Sequence, residues 1–112
     1  MNRNKHLPLT ETMYYILLAL QRPAHGYLVM QQVRELSAGE VNIAAGTMYG
    51  ALENLKKQGL IQLVGLAEGR RKTYQITPYG AQVLSKDRAR LRHMVSVAEA
   101  VTATVTETAA EI

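Results

Sequence analysis

The apolar residues of this 112-residue chain change their spacing once, between Gly59 and Thr77. Before that point they recur at helical intervals. Met13, Ile16, Leu17 and Leu20 stand at i, i+3, i+4 and i+7, one face of a helix that Thr10 or Thr12 can cap. Arg22-Pro23 should stop that helix, and His25-Gly26 reads as a loop. A second stretch carries Tyr27, Met30, Val33 and Leu36 at helical spacing and ends at Ser37-Ala38-Gly39. In a third, Met48, Leu52 and Leu55 repeat the pattern, with Lys56 and Lys57 in the last turn and Gly59 closing it. From there the period becomes two. Leu60 to Leu66 reads as a strand, Ala67-Glu68-Gly69 as a turn and Arg71 to Thr77 as the return strand, in which Tyr74 and Ile76 alternate with Thr73, Gln75 and Thr77. The chain is thus expected to be mainly α with a small β-hairpin.

Thr77-Pro78 starts a last helix, threonine in the capping position and proline at the first helical residue. Along it, Leu91, Met94, Ala98, Val101 and Val105 are spaced 3, 4, 3 and 4 residues apart, a seam suited to another helix rather than to the hairpin. From Val101 to Thr108 the alternation of Val, Ala and Thr also fits a strand, and β-branched residues form helices poorly. The expected division is a polar, basic arm over 1–8, a body over 9–77, a C-terminal dimerisation helix over 78–106 and a frayed tail over 107–112.

Composition narrows the class. With 47% hydrophobic and 20% charged residues, the chain has enough apolar surface for one core and is neither disordered nor membrane-like in balance. No apolar run approaches the roughly 18 residues of a spanning helix, and Met1-Asn2-Arg3-Asn4-Lys5 leads into no signal-type apolar block. No cysteine is present, which removes disulfides, thiol nucleophiles and thiolate zinc sites and suits a reducing cytoplasm. Charge is segregated: Arg70, Arg71, Lys72, Lys86, Arg88, Arg90 and Arg92 face the single acid Asp87 between 70 and 92, whereas residues 93–112 hold three glutamates and no Lys or Arg. A basic middle suits a polyanion, nucleic acid or a lipid surface, although solvated helix faces show the same bias.

Helix, helix, helix, hairpin is the order of a winged helix-turn-helix, whose third helix enters the major groove while the hairpin, or wing, touches flanking backbone or minor groove. With Met48, Leu52 and Leu55 on the core side, Gly46, Tyr49, Gly50, Glu53 and Lys57 lie on the opposite face. Gly46 and Gly50 would remove bulk where a helix approaches a duplex, Tyr49 would offer a hydroxyl to phosphate, and Thr47 would stand in the first turn among free N–H groups. At the wing tip, Arg70, Arg71 and Lys72 place three cations at a turn. His25 and Tyr27, at the entrance to the second helix, are counted with this DNA-facing set. Each residue also has a plainer use: the glycines in close helix packing, Tyr49 as a rim residue, the wing cations as solvated charges, His25 as a helix cap. Glu53 on this face counts against DNA unless it meets a cytosine amino group.

His25-Gly26-Tyr27, Gly46-Thr47-Met48-Tyr49 with Leu52, Leu55 and Gly59-Leu60-Ile61, then Glu68-Gly69-Arg70-Arg71-Lys72-Thr73-Tyr74 and Ile76-Thr77 with Gly80 resemble the PadR family of bacterial transcriptional regulators. The likeness runs from about Leu9 to Leu84. It implies a homodimeric winged-helix regulator, usually a repressor, that binds an inverted repeat in double-stranded DNA and is released by a small effector. It also implies recognition-helix roles for Thr47 and Tyr49, wing roles for Arg70, Arg71 and Lys72, and a dimerisation helix from Pro78 onward, where Leu84, Leu91, Met94, Ala98, Val101 and Val105 would pair. Two features depart from the family pattern. Ala44-Ala45 replace a frequent Ser-Pro, leaving the third helix without a side-chain cap unless Asn42 supplies one, and the single C-terminal helix resembles the short-tailed branch.

Enzymatic chemistry has no anchor in the sequence. His6, His25 and His93 fall on different elements, the carboxylates are scattered, and no HExxH, GxSxG, P-loop or GxGxxG motif occurs. No catalytic, metal or cofactor residue is therefore assigned. The chain has no tryptophan or phenylalanine, so of the small hydrophobic or aromatic effectors expected as partners an aromatic one would stack on tyrosine or pack on Leu, Met and Val at a dimer interface. The alternative function is a winged-helix module for protein contact, with the Leu91 to Val105 seam as its working surface.

Overall fold

The computed structural model describes residues 3–111. Helix α1 spans Glu11–Ala19 and opens on Thr10, whose side chain accepts the Met13 N–H at 3.1 Å. Ile16, Leu17 and Leu20 are buried and Met13 is half-buried, the face that their spacing predicts. Helix α2 spans Gly26–Leu36 and α3 spans Ala45–Lys57. Met48, Leu52 and Leu55 of α3 are buried in the core, where α3 packs on α2 and the first strand of the hairpin. Strand β2 (Ile61–Ala67) and strand β3 (Arg71–Ile76) form the expected hairpin, joined by the turn Glu68–Arg70 with Gly69 at φ 74°. That left-handed turn geometry suits glycine, which has no Cβ to clash.

The loop expected at His25 is a two-residue strand, β1 (Ala24–His25), which pairs antiparallel with β3, Ala24 opposite Tyr74 and His25 opposite Thr73. Among the described residues the sheet therefore has three strands in the order β1-β3-β2. The register of β2 on β3 shifts between Leu63 and Gly65, where one extra residue bends the wing.

The buried face of α2 differs from the expected stripe. Val29 and Val33 are buried, Met30 is half-buried, and Tyr27 and Leu36 stand 58% and 53% exposed. The reason is geometric: residues spaced by three drift 60° around a helix at each step, so Tyr27 and Leu36 lie on opposite sides of α2 and cannot both face one core.

Helix α4 runs from Pro78 to Glu111, so the Val101 to Thr108 stretch that also fits a strand is helical, as is the expected tail as far as Glu111, while Ile112 lies outside the described residues. Its first turn is locked to the body by Thr77, whose hydroxyl donates to the Gly59 carbonyl at 2.6 Å and accepts the Gly80 N–H at 2.9 Å. Gly80 lies so close to the Leu60 carbonyl oxygen that any side chain there would collide with backbone. Val83 and Leu84 enter the core, which corrects the reading of Leu84 as a dimerisation residue: it is 6% exposed, covered by its own chain. Asp87 is buried and accepts from Arg90 Nε at 2.6 Å. Beyond that pair the helix leaves the body, and every described side chain from 91 to 107 is exposed. The radius of gyration, 17.8 Å, accordingly exceeds the ~13 Å of a compact chain this long.

Within the segment expected as a polar, basic arm, the described residues touch the body. Asn4 Nδ2 donates to the Tyr79 hydroxyl at 3.2 Å, the His6 ring meets the Tyr79 ring edge-on with centroids 5.6 Å apart, and Leu9 is buried. No helix among the described residues is long and apolar enough to cross a membrane.

Candidate nucleic-acid interface

Helix α3 begins at Ala45 with Ala44 in the capping position and no side-chain cap, and the Asn42 amide donates instead to the Gly39 carbonyl at 2.8 Å. Its solvent face carries Gly46, Thr47, Tyr49, Gly50 and Lys57, all exposed. Among the described residues, no atom outside the local helix backbone and chain neighbours lies within 4 Å of where a Cβ would stand at Gly46 or Gly50. Close packing inside this chain is therefore not what the two glycines serve. They leave a smooth, open strip of backbone.

Beside that strip, Gly26, Tyr49, Glu53, Arg71, Lys72 and Tyr74 line a cleft of about 310 Å³ between α3 and the wing. Tyr49 leans over the start of α2: a Cβ at Gly26 would stand 2.7 Å from its ring. Thr47 borders a separate hollow with Thr12, Glu40, Asn42 and Ala44, while Lys57 lies about 15 Å farther along the α3 axis. Tyr27 is exposed on the first turn of α2, and Arg70 stands exposed at the wing tip with φ 63°. The structure thus gathers Tyr49, Arg71 and Lys72 around one cleft and distributes Thr47, Lys57, Tyr27 and Arg70 about it.

Glu53, the acid that counts against this face, is engaged within the chain. The Tyr74 hydroxyl donates to its Oε1 at 2.9 Å and Lys56 Nζ lies 3.4 Å from its Oε2. The Tyr74 hydrogen bond foremost, with Lys56 and Lys72 adding and desolvation opposing, holds the Glu53 carboxyl below its ordinary range. Burial, reinforced by the facing carboxylate, pushes the Tyr74 phenol up to about 12. A charge unfavourable to phosphate is thereby turned into a tie between α3 and β3. Sequence alone does not reveal that tie, because its partners are 21 residues apart on different elements.

His25 is the side-chain cap of α2, its Nδ1 accepting the Leu28 N–H at 3.3 Å. Its other ring nitrogen, Nε2, lies 3.4 Å from the Arg71 guanidinium, a juxtaposition that only the pairing of β1 with β3 creates.

Residues 16–86, more than half of the chain, match the transcriptional regulator PadR-like family. A PadR family transcription regulator from Clostridium difficile R20291 is 28% identical with a TM-score of 0.71, over 83% of this chain and 99% of that one. A PadR family regulator from Eggerthella lenta is 25% identical with a TM-score of 0.65, over 80% of each chain. Bacillus subtilis PadR, solved in complex with operator DNA, shares the fold at 24% identity and a TM-score of 0.61, over 70% of this chain and 47% of that one. No curated protein matches. A winged-helix body whose third helix and hairpin enclose a basic cleft, together with the match over 16–86, places this chain in the PadR-like family of transcriptional regulators.

Proposed function

We propose that the protein is a sequence-specific, double-stranded DNA-binding repressor of the cytoplasm that acts as a homodimer on an inverted repeat. The observation that carries this reading is the open glycine strip of α3 beside the Arg71–Lys72 edge of the wing, with the one acid of that cleft already tied to Tyr74. The operator complex of Bacillus subtilis PadR supports it. Thr47, Tyr49, Gly46 and Gly50 meet base edges or the adjoining backbone. Arg70, Arg71, Lys72, Lys57, His25 and Tyr27 meet phosphates. Leu91, Met94, Ala98, Val101 and Val105 pair with the same helix of a second copy, since an apolar stripe of this length is not left in water. A hollow of about 490 Å³ bordered by Tyr14, Tyr15, Leu18, Arg90 and Leu91 offers the tyrosine and leucine surface on which a small aromatic effector would pack.

Titrating a labelled duplex at several salt concentrations tests the DNA reading. Arg71→Ala should weaken binding to every duplex and make the salt slope shallower by about one unit. Tyr49→Phe should instead lower affinity for the preferred site by roughly 0.5 to 1.5 kcal/mol, one neutral hydrogen bond. Binding of a protein partner that is indifferent to salt, with no duplex bound, would replace this reading by that of a protein-contact module.

A further inference from the structure

The contact between His25 and Arg71 does not satisfy itself. An amide N–H needs a lone pair, so the Nδ1 that accepts from Leu28 is unprotonated, and the single N–H of the neutral ring is on Nε2. That nitrogen lies 3.4 Å from Arg71 Nη1. A guanidinium has donors only. Two donors from different elements therefore converge, and no acceptor among the described residues is shown between them. The acid of the adjoining cleft is engaged elsewhere, Glu53 accepting from Tyr74 and pairing with Lys56.

The convergence is built into the backbone. His25 lies opposite Thr73 in the β1–β3 pair, and residues two apart on a strand share a face, so Arg71 stands diagonally across from the His25 ring. Next to His25, the first N–H groups of α2 present the positive end of that helix, and the Tyr49 ring closes the other side over Gly26. What fits is a small anionic oxygen with lone pairs for both donors.

We propose that His25 Nε2–H and the Arg71 guanidinium clamp one phosphodiester group of the duplex, joining the start of α2 and the wing on a single phosphate. This deepens the DNA reading and rests on it. His25 then has two tasks set by one tautomer: Nδ1 caps α2, and Nε2 donates to DNA. Because the contact is to backbone, it fixes the seating of the protein on any sequence and carries no base preference.

The test is a double-mutant cycle read by fluorescence anisotropy on a mixed-sequence labelled duplex, with thermal unfolding of each variant. His25→Asn keeps an acceptor for the helix cap, asparagine being a preferred capping residue, and removes the distal N–H. It should keep the thermal midpoint while losing about tenfold in affinity, the size of one hydrogen bond to a charged group. In the Arg71→Ala background the same change should cost only about twofold, because the phosphate is no longer held between the two. Parent-like binding by His25→Asn, or losses that simply multiply, would overturn the clamp and leave DNA binding standing. A parent protein that binds no duplex would overturn the DNA reading and the clamp together.

Discussion

The body and the far half of α4 carry the same kind of sequence signal and meet opposite fates. In α3, Met48, Leu52 and Leu55 form an apolar stripe, and each is at most 1% exposed. In α4, Leu91, Met94, Val101 and Val105 form a stripe of equal regularity, and they stand 38% to 62% exposed. Periodicity identifies a face that must be covered but not what covers it. In the body the cover is supplied by the chain itself, through α1, α2 and the hairpin. Beyond the Asp87–Arg90 pair, Leu91 still borders a hollow with α1 and every described side chain on to 107 is exposed, and the proposed second copy is the cover of matching shape and length.

Removing a methyl-rich side chain should therefore have opposite consequences in the two places. Leu52→Ala leaves a cavity in a closed core and should cost about 2–5 kcal/mol of stability, read by denaturant unfolding. Val101→Asp should leave the body folded and weaken self-association by upwards of about 2 kcal/mol, because a carboxylate would be buried at the seam. Sedimentation at several concentrations measures that change. A variant that unfolds rather than dissociates would show that the far half of α4 folds back on its own body.

The smallest of these effects concerns the tie between α3 and β3. The folded protein holds the Tyr74 proton more tightly than the unfolded chain does, so the tie contributes fully below the ordinary tyrosine value of 10 and is lost as pH rises toward about 12. Glu53 works in the reverse sense: its carboxyl is held below the usual range, so its contribution is present at neutral pH and lost on acidification. Tyr74→Phe should flatten both limbs of the stability profile measured by thermal unfolding against pH. An unchanged alkaline limb would mean that another tyrosine carries it.

What was legible in the sequence follows the range of the interactions. The α3 stripe, the Thr77-Pro78 start and the glycine turn of the wing are local and were readable directly. Tyr27 and Leu36 misled because a three-residue spacing resembles a helical face over two turns and drifts off it over three. β1 was invisible, since two residues have no period and their partners, Thr73 and Tyr74, lie far along the chain. The same holds for Asn4 with Tyr79, 75 residues apart, and for Glu53 with Tyr74, where the wing turns an apparent obstacle to DNA into a structural tie. Of the site, the cations and the glycine strip were legible and the pairing of His25 with Arg71 was not.

In the proposed dimer, two copies present their α3 helices to one side of a duplex. The most direct measurement of that arrangement is affinity for a selected inverted repeat with base pairs inserted between the half-sites. Two-fold symmetry requires the half-sites to be about 10 base pairs apart or a multiple of that, so inserting about five should drop affinity to the non-specific level and inserting about ten should restore part of it. Affinity indifferent to the five-pair insertion would contradict a two-fold dimer reading DNA.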